Sequence, residues 1–141
     1  MNVVIDASVA IKWFAPDDGT EEDADKAILI FKAIQVTDII PIQPTHWQAE
    51  VIAVLTRLCP ETSQQSIQLL DILEFQVYDN LKIYQLASKI ATQLSHHLFD
   101  TLYHAVALEQ QALFITADIK YYRKAKELGN IILLSEYQFG Y

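Results

Sequence analysis

A three-layer α/β/α sandwich around a mostly parallel central sheet is the fold class this sequence predicts, and three observations predict it. Short apolar runs rich in β-branched residues alternate with segments of helical periodicity along the chain. Those runs are continuously apolar, as in strands buried on both faces, rather than alternating as in half-exposed ones. At 141 residues the chain is long enough for one substantial core and too short for two ordinary domains, so a single domain over residues 1–141 is expected.

The elements follow in order. Asn2, Val3, Val4 and Ile5 read as a buried strand ending at Asp6, followed by a short helix through Val9, Trp13 and Phe14 that Pro16 stops. From Thr20, an N-cap candidate, Ala24, Ala27, Ile28, Phe31 and Ile34 recur at helical spacing. Residues 39–42 form a short strand whose Pro41 suits an edge or a strand end. Thr45 and Gln48 have capping-box spacing before a helix carrying Trp47, Val51, Val54, Leu55 and Leu58. A helix over 62–73, a strand over 75–78 and a helix bearing Ile83, Leu86, Ala87, Ile90 and Leu94 come next. Residues 102–110 are helical in pattern, 113–116 a strand, 120–128 a helix closed by Gly129, and 131–134 a final strand. No repeat or low-complexity linker interrupts this order, and with three glycines there is neither a Walker-type nor a dinucleotide-binding loop.

Composition narrows the setting. Hydrophobic residues make up 52% and charged ones 20%, as in soluble globular chains. No apolar run nears the roughly 20 residues a membrane helix needs, and the start lacks a basic lead, so a cytoplasmic protein with no membrane contact is expected. Cys59 is single, and its apolar setting between Leu58 and Pro60 reads as a buried thiol at a helix end. The net charge of −8 argues against gripping nucleic acid by bulk electrostatics. Its distribution matters more: six acids crowd residues 17–25, whereas Lys120, Arg123, Lys124 and Lys126 form a local basic strip, which is either a solvated helix face or a contact for a nucleic-acid backbone.

Four acids carry the chemical argument. Ligands of an open parallel sheet bind beyond the carboxyl ends of its strands. Asp6 directly follows the first strand and Asp118 follows residues 113–116 by two positions, so both project at that edge, although each is also placed to cap a helix. Glu50 lies on or beside the apolar face of its helix, where a carboxylate is costly unless paired or bound to a cation. Asp100 sits at a helix start among Leu98, Phe99 and Leu102, where an N-cap role competes. His104, one turn on from Asp100, reads as a packed or surface histidine rather than a substrate contact. His46, His96 and His97 show no zinc-site spacing.

The run Val3-Val4-Ile5-Asp6-Ala7-Ser8-Val9 and the run Pro44-Thr45-His46-Trp47-Gln48-Ala49-Glu50-Val51 resemble the first two sequence blocks of PIN-domain nucleases. Phe99-Asp100-Thr101-Leu102-Tyr103-His104-Ala105-Val106-Ala107, followed by Leu113-Phe114-Ile115-Thr116-Ala117-Asp118, resembles the third and fourth more closely, in order and in spacing. One departure is Phe99, which stands where many relatives have tyrosine. The resemblance implies a pocket in which Asp6, Glu50, Asp100 and Asp118 bind Mg2+ or Mn2+, with Ser8 and Thr116 supporting it. It further implies a ribonuclease of the VapC-like toxin kind, paired with a small antitoxin, as a homodimer or a toxin–antitoxin hetero-oligomer. The acidic net charge favours a basic partner.

The chemistry asks for such residues. Magnesium and manganese prefer hard oxygen ligands and keep several waters, so a few carboxylates with open positions suit a phosphodiester substrate such as RNA. Two other readings compete. A catalytically silent PIN fold would be a binding module, and a phosphatase- or receiver-type phosphoryl-transfer domain also places an Asp at a strand end. The latter fits less well, since Ser8 stands where a second acid is wanted.

Overall fold

The computed structural model describes residues 1–15 and 23–139. Five strands, β1 (Asn2–Ile5), β2 (Ile40–Gln43), β3 (Gln76–Val77), β4 (Leu113–Thr116) and β5 (Ile131–Leu133), form one sheet in the order β3-β2-β1-β4-β5. Every pairing is parallel, so the sheet is wholly rather than mostly parallel. Among them run α1 (Ala7–Ala10), α2 (Ala24–Gln35), α3 (Trp47–Leu58), α4 (Ser63–Ile72), α5 (Leu81–Leu94), α6 (Leu98–Glu109) and α7 (Ile119–Ala125). The order differs from the 2-1-3-4-5 arrangement of receiver-type sheets.

Parallel strands need crossovers, and right-handed ones place α1–α4 on one face and α5–α7 on the other, because the chain reverses its direction across the sheet after β3. The contacts agree: α1 packs on α3 and α3 on α4, while α5 packs on α6, which lies over β1, β2 and β4. The two faces squeeze a core whose centre is Val3, Val4 and Ile5 of β1 with Phe114 and Ile115 of β4, all buried. Chain reversal also opens a crevice between β1 and β4, since β1 leaves toward β2 and β4 leaves toward β5. That crevice is where Asp6 and Asp118 emerge.

Several local expectations are corrected. Thr45 and Gln48 make no capping box: α3 begins at Trp47 without a side-chain cap, and Gln48 reaches the Leu70 carbonyl at 3.4 Å. Leu58 is exposed at the end of α3, and Cys59 is half-buried rather than buried, because the chain leaves the core at that end of the helix. Helix α6 starts at Leu98, a full turn before the expected residue 102, so Asp100 lies in its first turn and His97 takes the cap position. Pro41 pairs with Val3 of β1, whereas β3 meets β2 only at Ile42 and Gln43, so the other side of Pro41 is a sheet edge, as a residue without an N–H requires. The expected cap at Thr20 and stop at Pro16 lie outside the described residues; α2 starts at Ala24. No helix among the described residues is long and apolar enough to cross a membrane.

Candidate metal centre

Asp6 is fixed from both sides. Its N–H donates to the Ile115 carbonyl at 3.0 Å, continuing the β1–β4 ladder, and its carbonyl accepts from Val9 and Ala10 to start α1. Its side chain makes no cap bond to that helix, which removes the capping explanation for this acid. Instead Oδ2 accepts from Ser8 Oγ at 2.6 Å and from Thr116 Oγ1 at 2.8 Å. The two hydroxyls accept in turn from the N–H groups of Ala117 and Asp118, both at 3.0 Å. One carboxylate oxygen thus joins the ends of β1 and β4.

Asp6 is nearly inaccessible, and burial pushes its carboxyl up to about 6. The Ser8 and Thr116 hydrogen bonds pull the other way, while the charges of Asp100 and Glu50 add to the rise. Those two acids therefore act on Asp6 across a shared space. Gln43, fully buried, accepts from Ile5 N–H at 2.7 Å and donates to Ile5 carbonyl at 2.9 Å, so a side-chain amide extends the β1–β2 ladder at the residue before Asp6. Nothing in its strand-end position announces this from sequence.

Asp118 does cap α7, with Oδ1 accepting from Tyr121 N–H at 3.0 Å. Its expected alternative role is thus real and occupies one oxygen. Glu50 and Asp100 come from helices and share a device the sequence reading missed, a histidine four residues earlier on the same side. His96 Nε2 lies 2.7 Å from Asp100 Oδ2. His46 Nε2 lies 2.8 Å from Glu50 Oε1 and 2.7 Å from the Phe99 carbonyl. Both oxygens can only accept the single Nε2 proton; it is directed at the Phe99 carbonyl, and the buried Glu50 Oε1, although close to the ring, has no hydrogen bond aligned on it. Spacing of i to i+4 is the signal that could have found both pairs.

Tyr103 closes the floor. It is fully buried, and its hydroxyl has no hydrogen-bond partner beside Glu50. Burial first, then the charges of Asp6 and Glu50, hold the phenol protonated far above its usual range. Burial also raises Tyr121, with the charges of Asp100, Asp6 and Asp118 behind it. His104 is a packed residue: Nδ1 meets Tyr121 Oη at 2.9 Å, Nε2 meets the Gly129 carbonyl at 2.8 Å, and burial lowers its basicity.

The arrangement suits a divalent cation. Donor atoms of His96, Asp100 and Asp118 all lie within 4.8 Å of one another. The buried Glu50 oxygen has no hydrogen bond aligned on it, with the His46 ring and the Tyr103 hydroxyl as its neighbours, and a cation would complete its partners. Of the basic strip, Lys120 and Lys124 line an adjoining open hollow of about 480 Å³ with His96 and His97. Arg123 and Lys126 are exposed and do not line it. Lys124 Nζ reaches His96 Nδ1 at 3.3 Å and the Ser95 carbonyl at 3.4 Å.

Solved structures share this architecture. A toxin–antitoxin complex from Klebsiella pneumoniae aligns with a TM-score of 0.65 at 14% identity, over 97% of this chain and 99% of that one. VapBC-1 from nontypeable Haemophilus influenzae aligns at 0.63 and 18%, over 96% and 100%. The sarcin-ricin-loop-cleaving toxin VapC20 from Mycobacterium tuberculosis aligns at 0.61 and 11%, over 78% and 84%. Such identities show a common fold. No curated protein matches in sequence. The PIN domain family model, however, matches residues 3–127, which run from Val3 of β1 past α7 and include all four acids, and the chain therefore belongs to the PIN domain family.

Proposed function

We propose that this chain is a metal-dependent endoribonuclease acting on single-stranded or loop RNA, and that it is the toxin of a toxin–antitoxin pair. One observation carries the reading: donor atoms of Asp100 and Asp118 converge with His96 within 4.8 Å, and the charges of Asp100 and Glu50 bear on the buried Asp6 at the end of β1, which supports one site for the four acids. Family membership supports a nuclease, and the fold relatives, toxin–antitoxin complexes and a toxin that cleaves the sarcin-ricin loop, support the toxin role and an RNA substrate.

The four acids hold Mg2+ or Mn2+, which when bound activates water and stabilises charge on the phosphate. Ser8 and Thr116 fix the orientation of Asp6 through its Oδ2, and Gln43 fixes the end of the strand that presents it. Asp118 is held by the first turn of α7, so its remaining oxygen has a defined direction. Tyr103 and the α6 wall exclude water from the floor. Lys120 and Lys124, with Arg123 and Lys126 farther along, steer the RNA backbone toward the acids. A small basic antitoxin fits the net charge of −8. Hetero-oligomers with it, or homodimers, are the expected assemblies, in the cytoplasm.

Incubation with single-stranded RNA tests the reaction: cleavage appears with Mg2+ or Mn2+, vanishes in excess chelator and is lost in a folded Asp6→Asn, Asp100→Asn double variant. Undiminished cleavage by that variant would falsify the mechanism. Co-elution with the product of a neighbouring small reading frame tests the pairing separately.

A further inference from the structure

We infer that His96 is a nitrogen ligand at this centre, which makes the site one for manganese-like transition-metal dications in preference to magnesium. The inference rests on the proposed metal site and concerns which ion that site selects. His96 is the one non-carboxylate in the group of converging donors, and its ring presents Nε2 at 2.7 Å from Asp100 Oδ2, on the side where Asp118 also stands. The side chain is only 9% exposed, and ring contacts with Tyr121 and His97 hold its plane, with centroids 4.9 Å and 5.8 Å away. An oriented imidazole among carboxylates is a mixed nitrogen and oxygen donor set. Magnesium disfavours nitrogen and gives up water reluctantly, whereas affinity for N/O sites rises from manganese through the later first-row ions.

The ring fits this role after two adjustments, the first being that Nε2, which donates to Asp100 Oδ2 at 2.7 Å, gives up that hydrogen bond to face the ion. Coordination through Nε2 leaves the ring's single proton on Nδ1, which then no longer accepts from Lys124. Both Lys124 contacts are long, at 3.3 Å and 3.4 Å, and the side chain is exposed, so it is free to turn into the hollow it lines with Lys120.

Pulsed electron paramagnetic resonance of the full chain loaded with Mn2+ tests the assignment without reference to activity. Imidazole nitrogen coupled to the ion is expected in the wild type and absent in His96→Gln, with Mn2+ affinity by calorimetry falling at least about tenfold and Mg2+ affinity nearly unchanged. Bound Mn2+ without nitrogen coupling, or coupling that persists in a folded His96→Gln, overturns the inference while the metal site stands. If neither ion binds the wild type, the site reading and the inference fall together. Circular dichroism of His96→Gln and His96→Ala separates loss of the ligand from loss of the fold.

Discussion

Asp6 and Asp118 belong to one way of holding a carboxylate, Glu50 and Asp100 to another. The first pair stands at strand ends, clamped by backbone N–H groups and by two hydroxyls that each donate to Asp6 and accept from the next turn. The second pair stands on helix faces, each acid beside the ring nitrogen of a histidine four residues earlier, at 2.8 Å for Glu50 and 2.7 Å for Asp100. Strand-end acids are therefore part of the sheet and cannot move without it. Helix acids depend on two side chains and can adjust. Under the proposed function, a centre that binds an ion and then accommodates a changing phosphate gains from having both kinds.

The largest expected effect would break the comparison if it failed. Asp6→Asn, Asp100→Asn and Asp118→Asn should each lower metal-dependent RNA cleavage by about a hundredfold or more, with circular dichroism unchanged, because charge stabilisation at the phosphate needs every ligand. A folded Asp100→Asn with wild-type rates would show that the helix-borne acids are dispensable.

Stability should register the burial of the Asp6 charge. With its carboxyl raised to about 6, Asp6 favours folding below its ordinary range near pH 4, where it is protonated in both states, and this contribution is lost as pH rises through about 6. A rise of about two units corresponds to roughly 3 kcal/mol at neutral pH as an upper bound. In chelator at pH 7.5, Asp6→Asn should melt several degrees above the wild type, and the gap should close near pH 4. An Asp6→Asn variant that melts lower at both pH values would mean that the clamp outweighs the burial of charge.

A smaller effect sharpens the role of the clamp. Thr116→Val keeps the volume of a fully buried residue and removes one donor to Asp6, worth about 1.5 kcal/mol or more for a charged acceptor. Metal affinity by calorimetry should drop about tenfold, with the fold retained, and an unchanged affinity would reduce the hydroxyl to packing. Smallest is Lys124→Ala, which should weaken RNA binding a few-fold and reduce the salt slope by about 0.7 for one lost phosphate contact. An unaltered slope would assign Lys124 to the solvated face instead.

How much of this was legible in the sequence follows the same division. Strands β1 and β4 are continuous apolar runs ending in an acid, so their place and the direction of Asp6 and Asp118 can be read from local pattern alone. Helix α6 begins a turn early because Leu98 and Phe99, both exposed, add apolar residues where the periodic stripe gives no start signal. Thr45 and Gln48 had the right spacing for a capping box, but tertiary partners, Tyr84 and the Leu70 carbonyl, claimed their side chains. Gln43 was invisible for a related reason: its two bonds reach 38 residues back to Ile5, and no local pattern encodes such a partner. The histidine pairs, by contrast, stand at i and i+4 and are legible locally, although neither has zinc-site spacing.

The central claim is that these four acids, so differently held, form one ion site. Titration of the metal-free protein with Mn2+ in a calorimeter tests it most directly, run in parallel on Asp6→Asn from the strand ends and Asp100→Asn from the helices. Saturable binding in the wild type that both substitutions weaken by at least about tenfold is the predicted result, since each removes a ligand of the same ion. Binding untouched by either folded variant would contradict the account.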